Sequence, residues 1–143
     1  MEPNWAELDE FFATALLNAN VPGLTADAVA RTNRPFSVGD KRFWAETRVV
    51  PTERVSATDK TFRQGGVAVY TLATRPGGGT SEISARAADV ASIFSPHSGR
   101  RGVFPARFGA RLVIRRVETA PGYVVDGFFK INVRITFDFY FGG

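Results

Sequence analysis

One histidine, His97, is the residue in this chain best suited to acid–base chemistry, and it lies in the segment Pro96-His97-Ser98-Gly99. A catalytic histidine needs a nucleophile or a carboxylate beside it, and only the fold could supply one here. The sequence contains no Gly-x-Ser-x-Gly motif, the turn that presents a nucleophilic serine in many hydrolases. We therefore interpret His97 as a loop residue without a catalytic role.

Two further groups of residues could bind an anion or transfer a proton. The glycines at 77–79 precede a predicted helix N-terminus, but no lysine completes a Walker A motif, and Glu82 stands where the dinucleotide fingerprint needs a third glycine. Glu7, Asp9 and Glu10 lie on one predicted helical turn, and a solvated turn is a better account of them than a buried acid–base pair. With one histidine and no cysteine, the sequence predicts no enzyme, no cofactor and no metal site.

A cluster of arginines is the remaining candidate for chemistry, and its members are Arg100, Arg101, Arg107, Arg111, Arg115 and Arg116. Basic clusters bind nucleic acid when a suitable motif frames them. No helix-turn-helix, zinc or RNP-type motif does so here. A solvated or subunit-facing basic surface is the preferred interpretation, and a nucleic-acid-binding module that uses arginines of 100–116 stays open as the alternative.

Composition and charge restrict the class of protein. The 143 residues suit a single domain over residues 1–143. No leader sequence and no apolar run long enough to cross a bilayer is evident, so we expect a soluble protein of a reducing cytoplasm without a membrane partner. Residues 1–40 hold six acidic and two basic side chains, whereas residues 41–143 hold 16 basic and 8 acidic ones. Such segregation favours head-to-tail association.

The C-terminal run 126–141 is the clearest element of the sequence. Its odd positions from Phe129 to Phe141 are all apolar and its even positions are mostly polar, which predicts a strand with one apolar face. The strand would span roughly 45 Å at about 3.4 Å per residue, longer than a typical strand. We therefore expect part of its apolar face, including Phe139 and Phe141, to contact another chain.

The other elements should cover that apolar face. Helical spacing predicts one amphipathic helix from an Asn4 cap to Asn20, and a second from Thr80 or Ser81 to Phe94. Strands are predicted at 43–50, 67–74 and 110–117, with a short one possible at 28–31; Pro51 would end the first, leaving a long loop at 51–66. The expected fold is α+β: an antiparallel sheet of four to five strands with two helices packed on one face.

Taken whole, the chain resembles the tail-terminator, or tail-completion, proteins of long-tailed bacteriophages. The order of elements carries this resemblance together with short segments, namely Leu8 and Phe12 in the first helix, Asn33-Arg34-Pro35-Phe36, Phe43-Trp44-Ala45-Glu46-Thr47-Arg48-Val49, Arg63-Gln64-Gly65-Gly66, Val67-Ala68-Val69-Tyr70, Ala88-Asp89, Ile93-Phe94 and Asp126-Gly127. Such proteins form a hexameric ring at the head-proximal end of the tail, stop tail-tube polymerisation and join the tail to the neck.

The resemblance implies a structural protein of the virion tail, assembled in the host cytoplasm. Its partners would be further copies of itself, the tail tube protein and a neck or connector protein, and the genome would pass through the ring without specific binding. Acidic residues would then line the hole. Another neck or head-completion protein is the alternative within the same class. The candidate subunit or tube contacts are Glu53, Arg54, Lys60, Phe62, Arg63, Gln64, Arg100, Arg101, Phe139 and Phe141.

Overall fold

The computed structural model describes residues 5–31, 36–56, 61–76, 80–94 and 111–142. These residues form the helices α1 (Trp5–Asn18) and α2 (Ser81–Ser92), a 3-10 turn at Ala26–Ala28, and the strands β1 (Val29–Ala30), β2 (Phe43–Ser56), β3 (Thr61–Thr74), β4 (Arg111–Thr119), β5 (Tyr123–Val125) and β6 (Phe128–Gly142). The protein is therefore α+β, as the sequence predicts.

The sheet differs in size and direction from the expected antiparallel sheet of four to five strands. It has six strands in the described residues, in the order β1-β2-β3-β6-β4, with β5 also paired to β6. The β1–β2 pair is parallel and the remaining pairs are antiparallel. The short strand expected at 28–31 is present as β1, but its parallel direction was not predicted. The expected number was too low because β5 was not predicted, since its three residues are too few to show a hydrophobic period.

The predicted loop at 51–66 is also wrong. β2 continues through Pro51 to Ser56, and β3 begins at Thr61, so most of this segment is a hairpin. Pro51 is tolerated because it precedes a register shift on a strand that lacks a second neighbour there in the described residues. Gly65 and Gly66 are not loop glycines either: a Cβ on Gly66 would lie 2.5 Å from Cζ of Phe137. The missing side chain makes room for that ring.

The apolar face of β6 is covered by the chain itself. Both helices contribute to one core with the sheet, and the ring of Phe12 lies 5.5 Å from that of Phe94 and 5.2 Å from that of Phe137, between centroids. Phe137 is 0% exposed and Phe139 is 1% exposed. The expectation that this face needs another chain is therefore corrected at these two residues, because α1 and α2 cover them. The structure describes the backbone of Phe141 and not its side chain.

The core also fixes the first helix onto the sheet by a polar contact. The buried hydroxyl of Tyr70 donates a hydrogen bond of 2.6 Å to the carbonyl oxygen of Phe12. Burial raises the pKa of Tyr70 well above its usual value, since the charged phenolate would lose its hydration. The opposite face of the sheet is covered by neither α1 nor α2. It carries a small cluster that includes Ala28 of the 3-10 turn and Trp44, which packs edge-on against Phe128 at 5.0 Å.

Candidate self-association surface

The candidate contact residues between Glu53 and Gln64 that the structure describes do not form one exposed surface. Glu53 and Arg54 are exposed on β2, and Nε of Arg54 donates a hydrogen bond of 3.1 Å to the side-chain oxygen of Gln64. Gln64 itself is 4% exposed and its amide also donates to the carbonyl of Gly65 at 2.9 Å. Phe62 is half-buried against the core, and Arg63 is half-buried. Of these residues, only Glu53 and Arg54 are exposed enough to make broad contact with a neighbouring subunit.

The other predicted contact residues fall into two groups. Phe139 is buried inside the chain and therefore offers no side-chain area to a neighbour in this fold. The backbone of Phe141 pairs with Phe62, which places it at the far end of the sheet. Lys60, Arg100 and Arg101 lie outside the described residues, as do His97 and the glycines at 77–79. The proposed roles of these residues stay predictions.

The sheet has two edges that no other described strand covers. On one side, β2 pairs with β1 at Ala45 and Glu46 only, so residues 47–56 have β3 alone as a strand neighbour within the described chain. On the other side, β4 and β5 each pair only with β6 in that same part of the chain. Open edges present backbone N–H and C=O groups that can pair with another chain. We call these the β2 edge (residues 47–56) and the β4–β5 edge.

The exposed apolar side chains lie on those two edges. Among the described residues, the large hydrophobic side chains classed as exposed are Val50, at 41%, and Tyr123, Val124 and Val125, of which Val124 is 70% exposed. Val50 lies on the β2 edge, and the other three make up the whole of β5. β5 was not predicted from the sequence, because its three residues stand between Pro121-Gly122 and Asp126-Gly127, which are both typical turn pairs. An aromatic and two valines between turn signals are nevertheless typical of a short strand.

The rest of the β4–β5 edge is protected against strand pairing. β4 has a register shift between Ile114 and Arg116, and the residue that bulges there, Arg115, is charged. Nε of Arg115 donates to Oδ2 of Asp138 at 2.5 Å and Nη2 donates to the hydroxyl of Tyr140 at 2.6 Å. The hydrogen bond to Asp138 raises the pKa of Arg115, which keeps the guanidinium charged. Charges and bulges are the devices by which edges avoid unwanted pairing.

The β2 edge is protected in the same way beyond Val50. Pro51 lacks an N–H group, the register shifts between Pro51 and Arg54, and Glu53 and Arg54 are exposed charges. The stretch before Pro51 has no such irregularity, because Arg48, Val49 and Val50 pair in register with β3. Each edge therefore has one stretch in regular register with an exposed apolar side chain, next to a stretch that is bulged and charged. On the β2 edge the regular stretch also contains the exposed Arg48.

The described residues provide little for catalysis or metal binding. They contain no group of three or more His, Cys, Asp or Glu side chains that could hold a metal ion. No helix in this part of the chain is long and apolar enough to cross a membrane. Two described arginines of the cluster are engaged: Arg115 with Asp138, and Arg116 with Glu118 at 2.5 Å. The predicted first-turn acid Glu10 likewise pairs with Arg31 at 2.8 Å.

Comparison with known proteins identifies the fold without a function. No family model matches the chain, and no curated protein matches it. One of the solved structures that match is a protein of unstated function with 17% sequence identity and a TM-score of 0.63, and the match covers 98% of both chains. At this identity the likeness shows that the two chains share a fold over their whole length, and it shows no more.

Proposed function

We propose that this protein is a structural subunit of a bacteriophage tail. In this proposal, copies form a ring that caps the head-proximal end of the tail tube, ends tube polymerisation and joins the tail to the neck. The resemblance in the order of elements supports it, and so does the α+β fold. The tube protein and a neck protein would be its partners, and the protein would have no catalytic activity.

The observation that carries the proposal is the position of the exposed apolar residues on both open edges of one sheet. Val50 and β5 lie at opposite edges of the sheet, because β3 and β6 stand between β2 and β5. A contact between two different surfaces of identical copies is heterologous, and repeated heterologous contacts form a ring when the rotation closes. A chain with one apolar patch would instead favour a two-fold dimer.

The hairpin of β2 and β3 supplies a further contact in this proposal. Its distal part carries the exposed Glu53 and Arg54 and pairs on its other side with the end of β6. These two residues remain the candidates for reaching a neighbouring subunit or the tube. The pairing of Arg115 and Arg116 with carboxylates reduces the free positive charge that passing DNA would meet.

The proposal is tested by assembling tail tubes from the tube protein of the same phage with and without this protein. We expect rings of the pure protein by negative-stain electron microscopy and native mass spectrometry. Tubes polymerised in its presence should be shorter, with a ring at one end. Tubes of unchanged length, together with no binding of the protein to tube ends, would refute the proposed function.

The nucleic-acid-binding alternative has no specific support from the described residues. Arg115 and Arg116 are ion-paired, and Arg100, Arg101 and Arg107 are not described. It predicts an affinity for DNA or RNA that falls steeply with salt concentration, because counterions are released on binding. An affinity of this kind, in a protein that ignores tail tubes, would make it the preferred function.

A further inference from the structure

We propose that neighbouring copies join by strand addition, with β5 of one copy pairing to residues 48–50 on the β2 edge of the next. The proposal rests on the self-association proposed above and names the two surfaces that make the contact. It would extend one sheet across the boundary between copies, with the apolar side chains of the two stretches packed against each other.

The composition of β5 is the first argument. Its three residues Tyr123, Val124 and Val125 contain no charge, no proline and no bulge, and all are exposed. Natural sheets protect edges with charges, prolines and bulges, and both β4 and residues 51–54 have them. β5 and residues 48–50 are the described edge stretches where the ladder continues in register and an exposed apolar side chain is present.

The direction of the strands is the second argument. β5 is antiparallel to β6, β6 to β3, and β3 to β2, so within one copy β5 and β2 run in opposite directions. Neighbours in a closed ring are related by rotation about the ring axis, which changes the direction of a strand little when the strand runs near that axis. β5 would therefore meet β2 of the next copy in antiparallel sense, the arrangement that is more stable per residue.

The faces of the sheet also match. Tyr123 and Val125 pair with Lys130 and Phe128, and these lie on the face that no described helix covers. Val50 lies on that same face, since it alternates with Val49, which packs against the helix-covered core. In a continued sheet Val50 of one copy becomes a cross-strand neighbour of Tyr123 or Val125 of the next. Aromatic and β-branched pairs of this kind stabilise antiparallel ladders. Val124 pairs with Phe129 and therefore lies on the other face, the face of Val49.

The two stretches lie at different heights along the strands, which sets the shape of the assembly. β5 is level with Phe128–Lys130, whereas Val50 is level with Thr136 through its partner Val67. Joining them shifts one copy against the next by roughly 24 Å at about 3.4 Å per residue along the strand. A stagger between strands accompanies the tilt that closes sheets into barrels. The strands would accordingly be tilted relative to the ring axis.

The test uses two variants, Val124→Lys and Val50→Lys, each of which places a charge on one of the two stretches. Alone, each variant should lose ring formation, with at least about a tenfold rise in the dissociation constant of the contact. Mixed together, they should form a 1:1 dimer that does not grow, since intact β5 of Val50→Lys meets the intact β2 edge of Val124→Lys. Native mass spectrometry and analytical ultracentrifugation measure both results.

Two further variants keep the test interpretable. Ser84→Lys adds the same charge at an exposed position on α2 and should assemble like the wild type. Val124→Thr keeps a β-branched side chain of similar size and should weaken assembly less than Val124→Lys. Circular dichroism establishes that each variant folds, which the exposure of Val124 and Val50 favours.

The outcomes separate this proposal from the proposed function. Wild-type rings together with wild-type assembly of both lysine variants would overturn the β5–β2 contact and leave the tail function standing. Failure of the two folded, monomeric variants to dimerise when mixed would also overturn it. Self-association that follows the predicted variant pattern, without any effect on tail tubes, would support the contact and refute the tail function. A wild type that is monomeric under all conditions would refute both.

Discussion

Gly66 is a position where a single added methyl group should destabilise the core, because the ring of the fully buried Phe137 occupies the space in front of it. In Gly66→Ala the new Cβ would lie 2.5 Å from Cζ and 3.0 Å from each Cε of that ring. Normal carbon contacts are about 3.5–4.0 Å. The ring cannot retreat easily, since Phe137 is fully buried and packs against Phe12 at 5.2 Å between centroids.

The magnitude follows from two opposing effects. Overpacking a core typically costs about 1–3 kcal/mol. Replacing glycine by alanine returns about 0.4–1 kcal/mol by restricting the unfolded chain. We expect a net loss of about 1–2 kcal/mol of unfolding free energy for Gly66→Ala, or a fall of roughly 3–8 °C in melting temperature for a chain of this size. Urea unfolding followed by circular dichroism, at one fixed protein concentration, measures it.

The neighbouring glycine is the matched control. A Cβ on Gly65 would meet the hydroxyl of Thr52, at 2.5 Å, and this side chain is exposed and can rotate away. Gly65→Ala should therefore change stability by less than about 1 kcal/mol. In the double variant that combines Gly66→Ala with Phe137→Leu, the clashing ring atoms are absent. Its loss of unfolding free energy should therefore be smaller, by at least about 1 kcal/mol, than the sum of the losses of the two single variants. Equal losses for the two glycine variants, or strict additivity, would refute the reasoning.

Two further predictions concern the contacts of Tyr70 and Arg115, and a third concerns the binding of DNA. Tyr70→Phe should cost about 1 kcal/mol by removing the hydrogen bond to the Phe12 carbonyl. Burial raises the pKa of Tyr70 in the folded state, so above about pH 10 the tyrosine of the unfolded chain loses its proton first and the wild type loses stability. The difference in unfolding free energy between the wild type and Tyr70→Phe should therefore narrow there. A difference that does not depend on pH, measured by urea unfolding, would contradict this. Arg115 is 45% exposed in its side chain, so a double-mutant cycle of Arg115→Met with Asp138→Asn should give a coupling of only about 0.5–1 kcal/mol. A coupling above about 2 kcal/mol would show that solvent screens the pair less than we infer. Fluorescence anisotropy with labelled duplex DNA should show no binding at about 50 mM salt, and measurable affinity there would favour the nucleic-acid alternative.

The elements found by sequence reasoning are those in which a period repeats several times. Alternation of apolar and polar residues predicts a final strand, which the structure has as Phe128–Gly142, and helical spacing places Ile83, Ala87 and Val90 on the buried face of α2. The capping assignment was less secure: Thr80 stands at the N-cap of α2, but its side chain makes no capping hydrogen bond. Local periodicity thus predicts what an element is and which of its faces is buried.

The errors arose where tertiary contacts override local signals. Pro51 and the glycines at 65 and 66 normally indicate a strand end and a loop, yet here the proline lies on an edge and the glycines accommodate Thr52 and Phe137. No sequence pattern states that Phe137 and a glycine will be cross-strand partners. The prediction of Phe139 as a contact residue was wrong for a similar reason, because its exposure depends on where two helices that are distant in sequence pack.

The place of β6 in the sheet determines how the protein must fold. β6 follows the other strands in the chain, yet it lies between β3 and β4 and pairs with three of them. Thr74, for example, finds its partner at Phe129. The β2–β3 hairpin can form early, but β3 lacks its second neighbouring strand until the residues of β6 have been synthesised. Contacts of such long sequence separation slow the search for the native state. During synthesis the incomplete sheet is therefore the stage most exposed to aggregation, and a chaperone that shields the hairpin would act there.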